Sequence, residues 1–199
     1  MFSKKKQGLI NRFRKLFLGV NIAVFVALWI FTKPLLALPY WLGEILETLG
    51  ILLIFAGIMG RVFASFSIAS RKNKVLVDGE LYSVVRHPLY FFSLLMVAGL
   101  GLSIQRVELL AYLLLFFLAC FLPMLRNEEK FLIEKFGQPY VDYAKQVPML
   151  VPNFRKWKSD HNISIDMPLV VKTLRDASWS LLIIPGVEVI EYIRGVVGH

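Results

Sequence analysis

Charged residues are scarce in this sequence. Only 19% of its 199 residues are Asp, Glu, Lys or Arg, while 57% are hydrophobic. That balance excludes an ordinary soluble domain and points to an integral membrane protein. A single cysteine, Cys120, excludes an internal disulfide. No small-x-small cleavage site follows the first apolar run, which is longer than the about 7–15 residues of a signal-peptide core. The N-terminus therefore reads as an uncleaved anchor. Acidic residues are the rarer sign, 14 against 23 basic ones, for a formal net charge of +9. No residue stands out as a metal ligand.

What is abundant is apolar length. Four stretches are expected to span a membrane: Leu16 to Leu38, Glu47 to Ala69, Pro88 to Ile104 and Val107 to Leu125. At about 1.5 Å per residue the last two reach roughly 25 and 28 Å, enough for a thin or locally pinched bilayer. Of the 23 Lys and Arg, only Lys33 and Arg106 fall on one side of these spans. The other side is then cytoplasmic, and both termini are expected there. So distributed, the positive charge reads as topology and lipid-headgroup contact, with no nucleic-acid footprint.

Punctuation divides the chain. Residues 1–15 form a basic arm, 16–153 a membrane domain and 154–199 a tail. Pro39-Tyr40-Trp41 reads as an interfacial turn with an aromatic belt. Gly57 and Gly60 let another helix come close. Arg61 lies inside the second apolar run, either snorkelling to the surface or lining a polar cavity. Pro88 suits a first helical turn, which sets Arg86 and His87 at the mouth of the third span and Tyr90 just inside it. Gly99-Leu100-Gly101 offers either close helix packing or bare backbone for a flat ligand. The short connection Ser103 to Glu108 makes spans three and four antiparallel neighbours, and Pro123 is expected to loosen the last turn of span four. Arg126, Glu128 and Glu129 follow, either as a solvated face with an Arg126–Glu129 pair or as part of a site.

Two clusters carry the chemistry: Gly79-x-x-Tyr82-x-x-x-Arg86-His87-Pro88-x-Tyr90, and Glu128-Glu129-x-x-Leu132-x-x-x-Phe136-Gly137-x-x-Tyr140-x-x-Tyr143. Together they resemble the membrane methyltransferases related to isoprenylcysteine carboxyl methyltransferase and the phospholipid N-methyltransferases. The resemblance covers about 75 residues, Gly79 to Asn153. It implies S-adenosylmethionine as cofactor, held by Arg86, His87, Pro88, Tyr90, Gly99, Leu100, Gly101, Glu128 and Glu129, with Arg126 and Glu128 as catalytic residues. A carboxylate would take the cofactor's ammonium group or ribose hydroxyls, and Arg86 or a protonated His87 its carboxylate. Two positions depart from the prenylcysteine pattern. Met124 stands where those enzymes carry an arginine, and Glu80 where a proline is frequent.

The tail leaves the resemblance. Asp160 to Asp166 is turn-like, and the apolar run Trp179 to Val187 is too short to span. Two interfacial amphipathic helices are expected there, placed to close the site from the cytoplasm or to dock a partner protein. The expectation is an all-α integral membrane bundle of about four spans, a tight helical hairpin and a cytoplasmic amphipathic tail. It would methylate a lipid-soluble or amphiphilic acceptor. The rivals are a strict prenylcysteine carboxyl methyltransferase, a non-enzymatic scaffold that keeps the hairpin, and the much longer sterol reductases, which use a nicotinamide cofactor.

Overall fold

The computed structural model describes residues 4–36, 38–68, 75–159 and 182–197, with the isolated positions 167, 171 and 175. Every regular element among them is helical: α1 (Lys4–Phe31), α2 (Tyr40–Ile68), α3 (Leu81–Val84), α4 (Pro88–Ser103), α5 (Val107–Phe136), α6 (Gln138–Gln146), a 3-10 turn at Phe154–Lys156, and α7 (Ile183–Val197). The loop cations Arg71, Lys72 and Lys74, the turn-like stretch 160–166 and most of the tail's first amphipathic segment lie outside the described residues.

Two of these helices, α2 and α5, are long and apolar enough to cross a membrane. The most apolar part of α5 has a mean hydropathy of 2.3 yet only 11% of it is buried within the protein. A soluble core would cover such a surface, so it belongs against hydrocarbon. The other two expected spans are shorter apolar helices, Gly19–Phe31 and Pro88–Ser103. The sixteen residues of α4 rise about 24 Å, less than the about 30 Å of a typical hydrocarbon core.

Helices α2 and α4 pack so closely that side chains are excluded. A methyl group on Gly50 would stand 2.5 Å from the Gly99 carbonyl oxygen, and one on Gly99 would stand 2.5 Å from that of Gly50. Further along the seam, Gly57 faces Met96 and Gly60 faces the ring of Phe92. At the same end as Gly99, buried Arg106 closes the bundle. Its guanidinium donates to the carbonyls of Trp29 (3.1 Å), Thr32 (2.9 Å) and Lys33 (2.9 Å), and to Glu108 at 2.7 Å. The last carbonyls of α1 have no partner within their own helix, so this cation satisfies and complements that end.

Three expectations change. Tyr40 and Trp41 do not form a turn: they begin α2, where Leu42 and Gly43 N–H donate to the Pro39 carbonyl. Both rings stay exposed, as an interfacial pair would be. Span four does not finish at Leu125 in a turn loosened by Pro123: α5 carries Pro123 inside it and runs thirty residues to Phe136, stopping where Gly137 takes φ 63. Nor does the end of the tail lie at the pocket face. Helix α7 sits at the opposite end of the bundle, with Val187 and Ile190 against the Phe25–Trp29–Ile104–Leu109 cluster. The Trp29 indole N–H donates to Glu191 at 2.8 Å. Apolar burial on α1 holds this helix, so among the described residues α7 is no lid.

A Gly99→Leu variant should therefore lose stability first, by about 1–3 kcal/mol from overpacking the seam. Thermal unfolding of the purified protein in detergent checks this. Loss of ligand affinity at unchanged stability would refute the packing role.

Candidate functional site

The end of the bundle opposite Arg106 is built around two connecting segments that are mostly irregular. Residues 79–87 leave the α2 side through Glu80, at φ 53, and the short helix α3 before Pro88 starts α4. A strap formed by residues 147–158 lies across them. Arg86 N–H donates to the Pro148 carbonyl at 2.9 Å, Asn153 N–H to Val84 at 3.0 Å, and Glu80 N–H to Lys158 at 2.8 Å. The Tyr143 hydroxyl adds a bond to the Tyr82 carbonyl at 2.7 Å. The strap thereby satisfies polar backbone that is buried with Leu81, Ser83 and Val85.

Helix α5 delivers the carboxylates. Glu128 lies twenty-one residues beyond Val107, about 32 Å along the axis, and so just clears a hydrocarbon core of about 30 Å. One oxygen of Glu129 receives three donors: Arg86 Nη1 at 2.6 Å, His87 Nε2 at 3.2 Å and the Tyr140 hydroxyl at 3.5 Å. Glu128 stands 4.0 Å from His87 Nδ1, with Tyr90 beside it. Between these groups opens a cleft walled by Tyr82, Tyr90, Phe136 and Tyr140, with Arg86, His87 and Glu128 in its lining. Its cavity volume is about 80 Å³.

Burial sets the protonation states. It holds the His87 imidazole below its ordinary value, against the opposing pull of Glu129 and Glu128. Burial and the nearby Glu129 push the Tyr140 hydroxyl up to about 12, and burial likewise raises Tyr82 and Tyr143. The phenols are therefore protonated donors at neutral pH, and His87 is neutral, with Nε2–H available to Glu129.

The structure brings together Arg86, His87, Pro88, Tyr90, Glu128 and Glu129. Glu129 stands behind the cleft as an anchor, whereas Glu128 lines it. Four expected site residues lie elsewhere. Gly99 packs on α2, Leu100 on the cluster at the far end, and Gly101 against Leu110. Twelve residues, about 18 Å of helix, separate Gly99 from His87. Arg126 is exposed and outside the cleft, and Glu129 bonds Arg86 in its place. The reason is helical phase: Arg126 stands two residues before Glu128, about 200° around α5, and so faces away from the cleft that Glu128 lines. Sequence reading had Tyr82, Leu132, Phe136, Tyr140 and Tyr143 as motif positions only; all five line the cleft. It missed Ile68, Leu76 and Val77, apolar lining that no motif marks. Among the described residues no group of three or more His, Cys, Asp and Glu side chains is arranged to hold a metal ion.

A family model described as phospholipid methyltransferase matches residues 38–139. The cobalt-zinc-cadmium resistance protein CzcN of Cupriavidus metallidurans is 30% identical over 141 residues, 71% of this chain and 65% of its own length. The nickel-cobalt-cadmium resistance protein NccN of Alcaligenes xylosoxydans xylosoxydans is 29% identical over 154 residues, 77% of this chain and 72% of its own. The chain thus spans just under two thirds of the first of these relatives. No solved structure matches.

Because its folded pKa is lowered, His87 resists protonation that the unfolded chain accepts near its ordinary value of 6.5. Stability should be full above that pH and fall as the pH drops from about 6.5 toward the folded value. Melting temperatures in detergent between pH 5 and 8 test this, and His87→Gln should flatten the fall. An equally steep fall in the variant would assign it to other groups.

Proposed function

The chain belongs to the phospholipid methyltransferase family, and from that premise we propose that it transfers a methyl group from S-adenosylmethionine to a lipid-soluble or amphiphilic acceptor. Members of this family generally use that cofactor, and the protein is membrane-associated through its apolar helices. The observation that carries the reading is one cleft holding a guanidinium and a carboxylate between aromatic walls, just where α5 clears the hydrocarbon.

The residues present fit the cofactor. Arg86 Nε is buried and has no partner, a donor free for a carboxylate. Glu128, beside the Tyr90 hydroxyl and 4.0 Å from His87 Nδ1, keeps acceptor capacity for an ammonium group or ribose hydroxyls. Tyr90, Phe136 and Tyr140 offer faces for an adenine ring or a sulfonium. When bound, the cofactor supplies an activated methyl group. The chain's own part is to orient: Glu129 fixes Arg86 and His87, and the strap fixes the backbone that carries them. Methyl transfer to a nucleophilic acceptor needs little acid–base help, so positioning and water exclusion would carry the rate. Arg126 has no place in that arrangement.

By the cation distribution, the cleft faces the cytoplasm and the chain crosses the membrane several times. Helix α7, at the other end of the bundle, is the part for which a cytoplasmic position no longer follows. A topology reporter at the N-terminus should read as cytoplasmic, while one at the C-terminus should read as external. Identical signals from both would return α7 to the cleft's side of the membrane.

A non-enzymatic scaffold is the second reading, favoured by one observation. Helix α7 exposes Val189, Tyr192 and Val196, an outer face suited to a protein partner. The metal-resistance names of the two relatives would suit a membrane assembly of that kind. Calorimetry with S-adenosylmethionine on the purified protein separates the readings. The enzyme should bind it, and Glu128→Gln should weaken binding by about 1.5–3 kcal/mol, the range for a hydrogen bond to a charged group. Glu129→Gln should lower stability as well as affinity. Absence of binding by the parent protein would leave the scaffold.

A further inference from the structure

Arg61 is a cation that has no counter-charge among the described residues, set within a membrane helix. It lies on α2, on the stripe that continues from Gly57 to Ile68, seven residues and about 10 Å before the helix ends at the cleft. Helix α2 is 29 residues, about 43 Å, so centred on a core of about 30 Å it extends some 7 Å beyond each side. Arg61 then sits a few ångströms inside the boundary, at the level where acyl chains meet headgroups.

Its side chain does not escape toward water. Nη1 donates both to the Leu89 carbonyl at 3.3 Å and to the Ser93 hydroxyl, which pins the guanidinium against the first turns of α4. Among the described residues no carboxylate approaches it. Nε and Nη2 have no partner among the described residues, and neither is among the buried, unsatisfied atoms, so both are open to the surroundings. An uncompensated cation at this depth is costly, and one held in place by hydrogen bonds has been aimed. No described residue supplies the balancing charge, and an anionic headgroup at this level can.

We propose that Arg61 is the anchor of a lipid site on the α2–α4 seam, beneath the cleft, that takes the phosphate of a net-anionic glycerophospholipid. Two adjacent guanidinium donors match two phosphate oxygens. A zwitterionic lipid brings its own ammonium group and would leave the local charge unbalanced. The site is separate from the cleft: neither Arg61 nor Ser93 lines it.

The full chain is reconstituted into nanodiscs of phosphatidylcholine containing a minor share of phosphatidylglycerol, and the lipids retained by the released protein are counted by native mass spectrometry. The parent should retain phosphatidylglycerol several-fold above its share. Arg61→Gln should fall to the bulk ratio, Arg61→Lys should lie between, and Ser93→Ala, which keeps the charge but removes its tether, should weaken the preference. S-adenosylmethionine affinity is the control and should not change in any variant, so failure of the methyl-transfer reading leaves this test intact. Inorganic phosphate added at millimolar concentration should not displace the lipid. Retention unchanged in both Arg61→Gln and Ser93→Ala would overturn the proposal, and displacement by inorganic phosphate would replace it with a free-anion site.

Discussion

A single carboxylate oxygen holds the polar end of this bundle together. Glu129 Oε1 takes donors from Arg86, His87 and Tyr140, which belong to two different stretches of chain. Without it, helix α5 would emerge from the membrane with nothing to align it to the loop before α4. Two cationic or neutral nitrogens and a phenol would be left to find partners in a partly dry setting, a cost of several hydrogen bonds at once. The anchor also explains a division of labour between neighbouring residues. Consecutive positions on a helix point about 100° apart, so Glu129 is turned to the loop while Glu128 remains available to the cleft.

The sequence made the polar end legible because its signals are local. Pro88 names a helix start, and the loop between Ser103 and Glu108 is too short for anything but a hairpin. These features set the two motif clusters side by side without any knowledge of packing. Other features depend on which partner a surface finds, and there the residues alone were ambiguous. Gly99 and Gly101 could have faced a ligand or a helix, and the contacts with Gly50 and Leu110 decide for helices. Arg126 looked as eligible as Glu128 by spacing, but helical phase turned it outward. The tail is the largest miss. Its short apolar run fits an interfacial helix at either end of the bundle, and only the aromatic cluster on α1 selects the far one.

Family membership and the names of the relatives pull in different directions, and the structure suggests why both can be sustained. The family match, residues 38–139, covers the hairpin and most of the cleft but stops short of the strap and α7. Arg86, His87, Glu128 and Glu129 all lie in the shared part. What distinguishes this chain from other members can then lie in the region beyond it, including the helix whose outward face is apolar.

The clamp at Arg106 has a consequence for how the protein is made. Its guanidinium is buried against carbonyls of α1, residues more than seventy positions earlier in the chain. Until the end of α1 has docked, the hairpin carries a charge whose burial has no compensation. Because synthesis proceeds from the N-terminus, α1 is already waiting when the α4–α5 hairpin arrives. Membrane insertion is thus ordered by chemistry as well as by translation: the first helix serves as the receptor that lets the later pair release Arg106 from water.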